Sequence, residues 1–162
     1  MPLDTDEVLR KFAPALARIA SSYERDPALR DELLQEILLA IVSSLPRLKV
    51  ADKLKPFLFR IAHNRCLTHV AQRMREPAST DLLDDLAADS AGHEQALIER
   101  ERGQRLLEAV RRLALPYRQV MTLFLEDMTY EEIAEALAIS VANVGIRVNR
   151  AKQQLKVLLH HE

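Results

Sequence analysis

The chain has 162 residues, 48% of them hydrophobic and only 4% aromatic, with three Gly and one Cys. That is enough for one ordinary domain or two small ones. Scarce Gly favours helices over turn-rich sheets, lone Cys66 excludes an internal disulfide framework, and no apolar run approaches the roughly 20 residues of a membrane span.

The net charge of −1 hides an uneven distribution. Residues 1–75 carry 13 Lys/Arg and 9 Asp/Glu, residues 76–95 carry 6 acids and no Lys/Arg, and residues 96–162 carry 10 bases and 9 acids. Two mildly basic blocks flank an acidic connector. Phosphate neutralisation supplies most non-specific DNA affinity, so a chain this close to neutral is expected to bind DNA weakly by itself. The N-terminus lacks the layout of a signal peptide, and a cytoplasmic location is expected.

In chain order, Val8, Leu9, Phe12, Leu16 and Ile19 recur at helical spacing over 5–22, with Pro14 expected to kink or divide the helix. Asp26-Pro27 marks a boundary. Over 28–45, Leu33, Leu34, Ile37, Leu38, Ile41, Val42 and Leu45 form a broad apolar face, and Asp31, Glu32, Gln35 and Glu36 cluster on the first two turns. This cluster reads either as a solvated acidic face or as a docking surface for a basic partner. Pro46 and Pro56 bound a loop carrying Arg47, Lys49, Lys53 and Lys55 against the single acid Asp52. Charge alone leaves simple solvation and a phosphate-tracking rim beside an unstacked base both open.

A helix is expected over 57–75, with Leu58, Ile61, Ala62, Arg65 and His69 near one side. Arg60, His63, Asn64, Arg73 and Arg75 are expected to form a cationic surface. The His63-x-x-Cys66-x-x-His69 spacing spreads its outer members about 120° around the helix. No usual fourth ligand lies nearby, so no metal is expected, and Cys66 reads as a small buried hydrophobe. Residues 76–95 have linker composition: Pro, Ser, Thr, Gly and Asp, with Leu82, Leu83 and Leu86 as docking candidates. Helix resumes over 96–114, with Leu97, Leu106, Leu107, Val110 and Leu113 as core candidates beside an exposed ion-pair face. Leu115-Pro116 opens another helix that buries Val120, Met121, Phe124 and Leu125.

Residues 129–156 carry the pattern of a helix-turn-helix. Thr129 and Glu132 form a capping box, and Ile133, Ala134 and Leu137 a compact apolar face. Ala138-Ile139 breaks the helix, Ser140 caps the next, and Val144, Val148, Ala151 and Leu155 continue the apolar stripe. Arg147, Arg150, Lys152 and Lys156 lie off that stripe, toward water or phosphate.

These residues resemble a family. Leu115–Leu155 resembles the promoter −35-binding domain of bacterial sigma factors of the extracytoplasmic-function group. Glu32–Ile41 and Pro56–Arg65 resemble the core-polymerase-binding and −10-recognising helices of the same group. The resemblance implies an all-α fold of two small helical domains, 1–75 and 96–162, joined by the acidic linker 76–95. It implies a non-enzymatic factor that directs core RNA polymerase to promoter DNA and assists −10 melting, without cofactor or metal, under an anti-sigma factor. Asp31, Glu32, Gln35 and Glu36 would then face the polymerase. Arg47, Lys49, Lys53, Lys55, Arg60, His63 and Asn64 would lie along the −10 element. Tyr130 and Glu131 would bring a helix N-terminus to the DNA backbone. Ser140, Ala142, Asn143, Ile146, Arg147, Arg150 and Lys152 would lie in or beside the −35 major groove. The chain departs from the family at Val42 and Phe57, where Trp is common; at Ala138, where Gly is common; and at Gly145-Ile146 in the recognition helix. A free-standing helix-turn-helix regulator would leave the first half idle. An enzyme would need a nucleophile, base and acid set that is not visible.

Overall fold

The structure, a computed structural model, describes residues 3–76 and 94–160. The acidic residues of the expected linker, apart from Glu76 and Glu94, lie outside the described residues, as do Leu82, Leu83 and Leu86. Among the described residues all regular structure is helical.

Helix α1 spans Thr5–Tyr23. The Asp4 carboxylate accepts from the Asp6 N–H at 3.1 Å and caps its start. Pro14 does not divide this helix. It is exposed, as is Arg10, whose carbonyl Pro14 leaves without a helical donor, so water can satisfy that group. Helix α2 spans Pro27–Ser44, capped by Asp26, which accepts from the Ala28 N–H at 2.9 Å, with Pro27 in the first turn where its missing N–H costs little. Its buried stripe is Leu33, Ile37 and Ile41. Val42, expected in that face, is 43% exposed, because the stripe advances by four at each step and leaves it on the flank.

The basic loop forms two 3-10 turns, Leu45–Arg47 and Ala51–Lys53. Helix α3 then runs from Leu54 to Arg75, taking Pro56 into its first turn. Its buried residues include Leu58, Phe59, Ala62, His63 and Cys66. The stripe therefore passes through His63 and not Arg65, which is exposed. Phe59 meets Phe12 of α1 edge to face, with centroids 6.2 Å apart. Cys66 is fully buried among these groups.

Helix α4 spans Glu94–Arg112. Residues 94–105 are all exposed, including the expected core residue Leu97 at 40%. Burial is reached only near the C-terminal end, at Ala109, Val110 and Leu113. Helix α5, Leu115–Phe124, buries Val120, Met121 and Leu123. Leu125 faces outward, contrary to expectation, at the turn where Asp127 takes a positive φ of 61°. Helices α6, Tyr130–Leu137, and α7, Val141–His160, complete the chain as described.

Two helical domains result, α1–α3 and α4–α7, and their buried side chains form one continuous core. Helix α6 packs along α3, while α1 meets α4 and α5. A polar seam reinforces this contact. Arg18 pairs with Glu126 through two hydrogen bonds of 2.7 and 2.8 Å. Arg25 pairs with Glu108, Arg111 donates to the Ser21 carbonyl at 2.8 Å, and the Arg118 guanidinium sits 5.5 Å over the Tyr23 ring. The packing leaves a cavity of about 400 Å³ between α1, α4 and α5, lined by Ile19, Leu106, Leu107, Val110 and Thr122 among others.

Candidate nucleic-acid and polymerase interfaces

The first surface is the outer edge of α2. Asp31, Glu32, Gln35 and Glu36 are all exposed. The same face continues into Leu39, 67% exposed, and Val42. A row of acids leading into bare aliphatic groups is a surface without a partner among the described residues. Sequence reading missed Leu39 and assigned Val42 to the core. The available signal was the run Leu38-Leu39, which is too wide for one buried stripe.

The second surface is the basic loop with the first turns of α3. Lys49, Arg60 and Asn64 are exposed. The Arg47 guanidinium donates to Ser44 Oγ at 2.9 Å. Beside it, a hollow of about 310 Å³ lies between α2 and α3, lined by Ala40, Ser44, Ile61, Asn64, Arg65 and Thr68. Lys55 is half-buried. Lys53 is already engaged: its ammonium donates to Glu135 of α6 at 2.8 Å. His63 departs from expectation. It is 9% exposed, and burial pushes its pKa down to about 4. It is a neutral core ring, not a cationic surface group.

A carboxylate missed by sequence reading organises the far end of α3. Glu24 is 3% exposed and accepts from His69 Nε2 at 2.7 Å, Arg73 Nε at 2.8 Å and the Asp26 N–H at 2.8 Å. Burial pushes its pKa up. The hydrogen bonds from His69 and Asp26, with the charge of Arg73, outweigh that and hold the carboxyl below its ordinary range. His69 is thus occupied, and no group of three or more potential metal ligands gathers among the described residues.

The third surface is the helix-turn-helix. The Thr129 hydroxyl accepts from the Glu132 N–H at 3.1 Å, and the Glu132 carboxylate accepts from the Thr129 N–H at 2.9 Å, which completes the capping box. Ala138 closes α6 in the left-handed region, φ 58° and ψ 44°. The Ser140 hydroxyl accepts from the Asn143 N–H at 3.1 Å and so serves as the cap of α7. Val144, Val148, Ala151 and Leu155 are buried, as the spacing predicts. At about 100° per residue, the face opposite that stripe carries Ala142, Ile146, Asn149 and Gln153, flanked by Asn143 and Arg150, and all are exposed. Asn149 and Gln153 escaped the sequence reading because it followed the basic residues and not the centre of the polar face. Arg147 lies half-buried at its margin. Lys152 turns away from this face, and its ammonium sits 4.5 Å over the Phe124 ring. Tyr130 is half-buried beside Phe124, with centroids 6.4 Å apart. Its ring lies 3.6 Å from where a Cβ on Gly145 would stand. Glu131 is exposed at the start of α6.

Residues 8–76 match the model of sigma-70 region 2, and residues 103–155 match that of sigma-70 region 4. The chain belongs to the sigma-70 family, in its extracytoplasmic-function group. The ECF RNA polymerase sigma factor SigM of Bacillus subtilis (strain 168) is 29% identical over 158 residues, covering 94% of this chain and 93% of the relative. The ECF sigma factor SigD of Mycobacterium tuberculosis (strain H37Rv) is 28% identical over 159 residues, covering 93% and 74%. Among solved structures, the sigma factor RpoE of Bartonella quintana, in complex with the anti-sigma factor NepR, superposes with a TM-score of 0.74 at 22% identity over 96% of both chains. CnrH in complex with the cytosolic domain of CnrY gives 0.69 at 22% identity, over 98% of this chain and 88% of that one. These likenesses bear on the fold. As a sigma factor, the protein directs RNA polymerase to promoters.

Proposed function

We propose that the three surfaces divide the work of promoter-directed initiation. The α2 edge of Asp31, Glu32, Gln35, Glu36, Leu39 and Val42 docks core RNA polymerase. The acids steer the encounter, and the bare aliphatic groups add apolar burial. The loop of Arg47, Lys49, Lys53 and Lys55, with Arg60 and Asn64, tracks the −10 strand and holds an unstacked base beside the hollow between α2 and α3. The α7 face of Ala142, Asn143, Ile146, Asn149 and Arg150 enters the −35 major groove. Tyr130 opens α6 toward the DNA backbone, and Glu131 suits an amino-group donor on a base edge better than a phosphate. Ser140 shapes this reader as a cap, and Lys152 braces it on Phe124.

The domain limits follow the same division: 1–75, an acidic connector over 76–95, and 96–162. The protein works without chemistry of its own, in the cytoplasm, where polymerase and promoter are found. No described helix is long and apolar enough to cross a membrane. An anti-sigma factor is its expected regulator, since RpoE and CnrH were each solved with a named binding partner, NepR and CnrY.

The observation that carries this reading is the match to both family regions in order on one chain, with the acidic edge of α2 unpartnered among the described residues. A free-standing regulator has no use for that edge. The test is capture of core polymerase by the full chain, wild type against Glu32→Arg/Glu36→Arg. Binding is expected for the wild type, with at least a tenfold loss in the variant. Equal binding would remove α2 from the interface.

A further inference from the structure

The face that α7 turns outward is poor in cations at its centre. Ala142, Ile146 and Asn149 lie there, all exposed, and Ile146 keeps 48% of its surface in water. The neighbouring cations are drawn off. Arg147 is half-buried at the margin, and the Lys152 ammonium sits 4.5 Å over the Phe124 ring. Gly145 offers no side chain, and the Tyr130 ring lies 3.6 Å from where its Cβ would stand. Arg150 is exposed on the flank. Among the described residues no hydrogen bond holds the Asn149 amide, which is free to turn to a base edge.

Spacing puts these groups on neighbouring base pairs. A helix-turn-helix presents the N-terminal turns of its second helix to the base edges. The stretch from Ala142 to Asn149 rises about 10 Å, and base pairs stack about 3.4 Å apart, so the three side chains face about three successive steps. The commonest contact to guanine is an Arg or Lys on O6 and N7. Asn pairs instead with N6 and N7 of adenine, and an apolar group meets the C5-methyl of thymine. An aliphatic group set against a G·C pair would strip water from guanine O6 and the cytosine amino group and return no hydrogen bond. One amide and two aliphatic groups therefore match A·T pairs.

We propose that Asn149 and Ile146 set the base preference of the −35 reader. Asn149 takes an adenine through N6 and N7, Ile146 takes the methyl of a thymine in an adjacent pair, and guanine is accepted only at the edge that faces Arg150. The inference rests on the proposed entry of this α7 face into the −35 groove and adds which bases it selects there.

The test offers holoenzyme, assembled from core polymerase and the full chain, a pool of duplexes randomised across both promoter elements, and sequences those bound. A run of A·T pairs is expected at −35, with adenine favoured about tenfold over guanine at one position. Asn149→Arg is expected to exchange that adenine for guanine while the −10 preference stays as in the wild type. Ile146→Ser is expected to relax the neighbouring thymine by about three- to tenfold. Both positions are exposed, and a gained guanine cannot come from a chain that fails to fold. A guanine-centred element that still moves with Asn149→Arg would keep α7 as the reader and overturn the choice of bases. A −35 preference that neither substitution moves would overturn the assignment of Asn149 and Ile146. Enrichment at −10 with none at −35 would overturn the inference together with the placing of this face in the groove.

Discussion

His63 shows how one residue can reverse its apparent role. Its neighbours in sequence are Arg60, Asn64 and Arg65, and in that company it reads as cationic surface. The helix places it on the buried stripe with Phe59, Ala62 and Cys66, and burial drives its pKa down to about 4. The sign follows directly. Between about pH 6.5 and 4 the unfolded chain binds a proton that the folded chain refuses, so stability rises with pH across that window. The limiting slope is about 1.4 kcal/mol per pH unit for one such group. Denaturant midpoints are therefore expected to fall on going from pH 7 to pH 5, and His63→Phe to flatten that fall. Equal pH dependence in both chains would contradict the buried neutral ring. Glu24 acts at lower pH: its carboxyl is held below the ordinary range, so its stabilisation is present at neutrality and lost as pH falls through the folded value.

At the scale of elements, the helix-turn-helix holds an exchange of residues that can be measured. Ala138 occupies a left-handed turn, φ 58°, where Gly carries no Cβ penalty. Gly145 occupies the interior of α7, where a Cβ would meet only ordinary contact with Tyr130 at 3.6 Å. Ala138→Gly and Gly145→Ala are each expected to stabilise the fold by about 0.5–1 kcal/mol, read as a rise in the thermal midpoint. A fall for Ala138→Gly would show that the turn tolerates a Cβ without strain. A fall for Gly145→Ala would show that the Tyr130 ring cannot accommodate one. These elements were legible in sequence where local chemistry decides them. The Thr129–Glu132 box, the Ser140 cap and the four-residue stripe of α7 all depend on spacing within a few residues. Leu97, Leu125 and Val42 were misread because periodicity shows which residues could share a face, not whether a neighbour arrives to cover it. Surface roles were legible where charge clusters, as on α2, and lost where the outward residues are amides, as at Asn149 and Gln153.

At the scale of the whole molecule, sequence reading pictured two weak DNA grips on a loose tether. In the structure the halves share a core and a seam of ion pairs. Arg18 and Glu126 are 108 positions apart, and no periodicity or motif encodes such a partner. Family resemblance supplies the order of the two domains but not their contact. On the proposed function, polymerase fixes the spacing of the two grips, and each gains from the other through effective concentration. Transcription with core polymerase and this chain on a pooled set of promoter templates tests that account most directly. We expect discrete promoter-dependent transcripts that are absent with core alone and lost with Glu32→Arg/Glu36→Arg. Absence of promoter-dependent transcripts on every template, alongside tight duplex binding by the free chain, would contradict it.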